Sequence, residues 1–119
     1  MEKQTVDINM VSMQIIMDAG DARVYITEAL ELMENNDFEL AIEKIAQAQN
    51  KIKSAHNAQT NIVQDEVRGI AHTPSMLFTH AQDTLMTISS ELHLAKQFLK
   101  IFKKIDKRFE ALEKPRESQ

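Results

Sequence analysis

Four histidines, His56, His72, His80 and His93, are the side chains of this sequence best suited to nucleophilic or acid–base chemistry near neutral pH. The chain has no cysteine, which excludes disulfides, thiolate zinc sites and cysteine nucleophiles. It has no Gly-rich phosphate loop, no zinc-protease helix motif and no nucleophile elbow. His80 has the most suggestive surroundings, in Thr79-His80-Ala81-Gln82-Asp83-Thr84-Leu85-Met86. That segment reads as the opening turns of a helix, where unpaired backbone N–H groups and the helix dipole favour negative charge. His80 and Asp83 are three residues apart, so their side chains leave the helix roughly 60° from each other. Asp83 adjoins the apolar Leu85 and Met86, a setting in which an ionised carboxylate requires a cation or several hydrogen bonds. A solvated Asp on a polar face stays open as the alternative at this point. His56, His72 and His93 are read as structural or exposed, His72 lying in a loop.

Three long helices are needed to position these groups. Ile8, Val11, Ile15, Ala19, Ala22, Ile26, Ala29 and Met33 recur at steps of three and four, which draws one helical stripe. A second stripe runs from Phe38 through Ala41, Ile45, Ala48, Ile52 and Ala55 to Gln59 and Ile62. The third runs from Ala81 through Leu85, Ile88, Leu92, Ala95 and Leu99 to Phe102, Ile105, Phe109 and Leu112. Helices over about 7–34, 38–67 and 74–113 follow, with Asp37 capping the second and Pro74, after a Thr73 cap, opening the third. Short connections force an antiparallel up-down-up three-helix bundle over 7–114, between a flexible 1–6 and a disordered tail at 115–119. Met10, Met13, Met17 and Val24 on the first helix, and Leu77, Met86 and Leu94 on the third, lie off the stripes. They imply either a second buried face between subunits or a broad single core. Gly20, inside the first helix, fits close approach of another helix or a mild kink.

Composition narrows the function. The chain of 119 residues is one domain's worth, and its net charge of -4 argues against a nucleic-acid partner. No apolar run approaches the roughly 20 residues of a membrane span, and no signal-peptide pattern opens the chain, so a cytoplasmic location is expected. The basic run Lys96, Lys100, Lys103, Lys104, Lys107 and Arg108 is read as a solvated helix face.

His80-Ala81-Gln82-Asp83-x-Leu85-Met86 closely resembles the active-site helix of the lactose/cellobiose-type enzyme IIA of the bacterial sugar phosphotransferase system. Three further signatures are similar to that family in the same order. They are Ala19-Gly20-x-Ala22-Arg23, Asp37-Phe38 with Asn36 where the family has glycine, and Ala55-His56-x-x-Gln59-Thr60. The resemblance implies a homotrimer with nine helices. It makes His80 the phosphoacceptor, charged by the histidine-containing phosphocarrier protein and discharged to a cysteine of enzyme IIB. Enzyme IIB then serves the membrane enzyme IIC, which takes up a lactose-type disaccharide or β-glucoside. It further implies that one Asp83 per subunit converges on a Mg²⁺ ion on the threefold axis, one per trimer. Gln82 would donate a supporting hydrogen bond. Thr84 stands where the family usually has a second histidine, so it retains a hydrogen bond but not a proton transfer. Arg23 is expected to pair with Asp18 or Asp21, and residues 64–74 to form a mobile loop. The competing expectation is a structural three-helix interaction module without phosphoryl transfer.

Overall fold

A computed structural model describes residues 7–114, so the expectations for 1–6 and 115–119 fall outside the described residues. The described residues form three helices and no strand: α1 (Ile8–Glu34), α2 (Phe38–Val67) and α3 (Met76–Glu113). The order is up-down-up, as the stripes require.

Each boundary has a local cause. The Asp7 carboxylate caps α1 by accepting from the backbone N–H of Asn9 at 3.0 Å and of Met10 at 3.3 Å. At the other end of α1, Asn36 adopts a left-handed conformation with φ 59°. Its N–H donates to Met33 O at 3.1 Å, and that of Asp37 to Leu32 O at 2.9 Å, which closes a Schellman motif. Asparagine tolerates this conformation well among non-glycine residues, which explains how it replaces glycine here. Asp37 then caps α2 through the Leu40 N–H at 3.4 Å. Gly69, at φ 85°, repeats the device after α2, with Gly69 N–H on Glu66 O and Ile70 N–H on Asp65 O. The start of α3 differs from the expected Thr73–Pro74 cap. Ser75 is the cap, its hydroxyl accepting from the Phe78 N–H at 3.2 Å, and Thr73 and Pro74 belong to the connection.

The stripes meet in two buried clusters. One joins Ile15, Ala55 and Ile62 to Phe78, Ala81 and Leu85, beneath the start of α3. The other joins Ala19, Ala22, Ile26 and Ala29 to Ala41, Ile45, Ala48, Ile88 and Leu92. Ile52 packs against both. The run of fully buried alanines on α1 and α2 lets those two helices approach closely. Gly20 is not part of that closeness, because a Cβ there would meet nothing within 4 Å. The seam on α3 ends near Leu99; Phe102, Ile105, Phe109 and Leu112 are exposed, contrary to the full-length stripe read from the sequence. The reason is length, since α3 has 38 residues and α1 only 27. Met10, Met13, Met17, Val24, Met86 and Leu94 are likewise exposed within the single chain.

Candidate functional site

Ser75 fixes the opening of α3 twice. Besides capping the Phe78 N–H, its hydroxyl lies 3.3 Å from Asn9 Oδ1, tying the start of α3 to the start of α1. His80 follows one turn later, exposed, with the buried Phe78 and Ala81 on either side anchoring the helix to the core. Helical side chains lean toward the N-terminus, so the imidazole leans back over the first turn. The Met76 and Leu77 N–H groups lie there, without a helical carbonyl to bond.

Asp83 is exposed in the single chain, so the cost of burying its charge arises only in an assembly. Among the described residues, no group of three or more His, Cys, Asp or Glu side chains is placed to hold a metal ion. A lone exposed carboxylate fits a site shared between copies, each supplying one ligand, and does not fit a site within one chain. Gln82 is half-buried beside it. Thr84 donates its hydroxyl proton to the backbone O of His80 at 2.9 Å. In that arrangement the proton serves the helix and is not directed at a group on the imidazole.

Other candidates separate from this patch. His56 and His93 are exposed on α2 and α3. His72 is half-buried, and its Nε2 sits 3.0 Å from Asp65 Oδ2, which pins the connection to the end of α2. The stretch read as mobile from Gln64 to Pro74 is thus helical up to Val67 and tethered beyond it. Arg23 pairs with neither Asp18 nor Asp21. Its Nε and Nη2 donate to the two carboxylate oxygens of Glu91 at 3.0 and 2.8 Å, which holds its pKa up, chiefly through the hydrogen bonds. Glu91 is eleven residues beyond His80, about 16 Å along the helix, so Arg23 braces α1 against α3 away from the imidazole.

Sequence reasoning missed the network around Asp18. This buried carboxylate accepts from Gln14 Nε2 at 3.1 Å and from the Ser54 hydroxyl at 3.0 Å, joining α1 to α2 between the two clusters. The signal was present, for Asp18 shares a helical face with Ile15 and Ala22.

The fold and site together define a class: an antiparallel three-helix bundle that presents an exposed histidine in the opening turns of its last helix. Residues 10–103 match the family model described as "PTS system, Lactose/Cellobiose specific IIA subunit", and the chain belongs to that family, a component of sugar phosphotransferase systems. It is 35% identical over 99 residues to the lactose-specific EIIA component of Lacticaseibacillus casei, an alignment covering 83% of this chain and 88% of the relative. The solved cellobiose-specific enzyme IIA of Bacillus anthracis is similar with a TM-score of 0.79 at 32% identity, covering 87% of this chain and 94% of that one. The fold also matches a solution structure of the IIA(Chitobiose)–HPr complex from Escherichia coli. There the TM-score is 0.74 at 24% identity, with 86% of this chain and 99% of the other covered. Among the described residues, no helix is long and apolar enough to cross a membrane.

Proposed function

We propose that this chain is a phosphocarrier in which His80 takes a phosphoryl group from the histidine-containing phosphocarrier protein and delivers it to a cysteine of enzyme IIB. The observation that carries the reading is the exposed imidazole at the start of α3, inside the segment shared with the family. A ring nitrogen of His80 attacks phosphorus as the bond to the donor's imidazole breaks and that imidazole leaves with the electron pair. In the second step the enzyme IIB thiolate attacks, and the His80 imidazole is the leaving group. Membrane enzyme IIC and its sugar, a lactose-type disaccharide or a β-glucoside, stand downstream. The HPr complex of the chitobiose relative supports the choice of donor.

The chain's own contribution is positioning and charge. The unbonded N–H groups and dipole of the first turn of α3 offset the negative charge near His80. The buried Phe78 and Ala81 keep that turn in place. Gln82, half-buried beside Asp83, remains the candidate for a further hydrogen bond. Assembly as a homotrimer would cover the methionines exposed on α1 and bring three copies of Asp83 to a threefold axis. Asp83 is the residue that would hold Mg²⁺ there, and the ion would neutralise three converging carboxylates.

The test is intact mass after incubation with the general phosphotransferase proteins and phosphoenolpyruvate. One acid-labile phosphate is expected on the native chain and on His56→Gln, and none on His80→Gln. Absence of phosphate from the native chain would leave the structural interaction module as the better reading.

A further inference from the structure

α3 continues past the bundle, and its exposed end has a composition unlike the rest of the chain. The stretch from Lys96 to Lys114 carries seven of the chain's fourteen Lys and Arg residues but only three of its eighteen Asp and Glu residues. The end of α3 is therefore cationic on an otherwise strongly acidic molecule. Its last ten residues, Lys104 to Glu113, also lie beyond the segment matched to the family.

The charges and the apolar groups occupy different sides. Phe98, Phe102, Ile105, Phe109 and Leu112 recur at steps of three and four on one arc, with Ile101 at its edge. Lys96, Lys100, Lys103, Lys104 and Lys107 fall on the opposite arc. The apolar arc is open, with Ile101 50%, Phe109 57% and Leu112 81% exposed. The rings of Phe98 and Phe102 stack at 6.0 Å, and Asn36 of the α1–α2 turn sits beside Phe102 and Ile105, so nothing of the hairpin covers the arc farther on. A helix with an aromatic and aliphatic face, a lysine-rich face and no central apolar span is built to lie in a membrane interface.

A second copy of the chain is a poorer occupant. The heptad column that starts at Asp83 continues through Ser90, Gln97 and Lys104. A threefold seam prolonged along it would set three lysines against one another. We propose that the distal part of α3, residues 98–113, docks on an anionic lipid surface, with the Phe and Ile side chains in the headgroup boundary and the lysines drawn to the lipid phosphates. The proposal does not depend on phosphoryl transfer.

The experiment is flotation of the full chain with vesicles of phosphatidylcholine plus phosphatidylglycerol, compared with phosphatidylcholine alone. Binding is expected to the anionic vesicles only, and to fall about tenfold or more between low and high salt. The variant K103Q/K104Q/K107Q/R108Q and the variant F109S/L112S should each lose it while keeping the helical far-UV spectrum and the acceptance of phosphate on His80. His80→Gln should float like the native chain. Equal binding to neutral vesicles, or none to anionic vesicles at low salt, overturns the proposal. So does a fall in the mass of free protein by sedimentation on F109S/L112S, which would assign the arc to contact between copies.

Discussion

At the scale of single residues, Asp18 and Asp83 show two ways of placing a carboxylate without a cation in one chain. Asp18 is buried and held by two neutral donors, whereas Asp83 is exposed and waits for an assembly. Asp18→Ala removes the acceptor, but Gln14 and Ser54 are exposed and can turn to water. The expected cost is about 1–2 kcal/mol, read as a lower urea midpoint with an unchanged slope. For Asp83, the proposed trimer predicts that a chelator lowers the melting temperature of the native protein but not of Asp83→Leu, which should remain trimeric by sedimentation. Equal chelator effects on both would remove the metal from the proposal. His80 and Asp83 were legible in the sequence because helical spacing alone puts them side by side. The partner of Arg23 was not, because Glu91 is 68 residues away and only tertiary packing brings it near.

Among the elements, α3 is the one on which the candidate site depends, and Ser75 is where it is held. Ser75→Ala should cost about 1 kcal/mol through the lost cap. Its more specific effect should be faster amide exchange at Phe78 and Thr79 and slower phosphorylation of His80, both restored in Ser75→Thr. Unchanged exchange in Ser75→Ala would mean that core packing alone fixes the turn. Element types and most ends could be read from the sequence, since the stripes have helical period and Asn36 and Gly69 suit the left-handed positions they occupy. The start of α3 was misplaced because Thr73-Pro74 satisfies the same capping rules as Ser75. What decides between them is local: the Ser75 hydroxyl reaches the Phe78 N–H, and His72 holds the connection against Asp65.

For the whole molecule, the bundle was legible and its limit was not. Apolar periodicity along α3 continues to Leu112, but periodicity does not reveal that the α1–α2 hairpin is too short to cover the far end. The same hairpin has a kinetic consequence. Only three residues separate α1 from α2, the chain reversal is locked by the Asn36 motif, and the alanine seam forms between residues near in sequence. Closing that contact costs little loop entropy, whereas docking α3 must wait for the longer connection. The hairpin should therefore be the folding nucleus. In stopped-flow refolding, Ala48→Gly should mainly slow refolding, and Ile88→Val should mainly speed unfolding. The opposite pattern would assign the rate-limiting event to α3. On the expected order, a ribosome would release a hairpin already closed before the phosphate-bearing helix has left the exit tunnel, so the reactive histidine would be the last part of the molecule to acquire its setting.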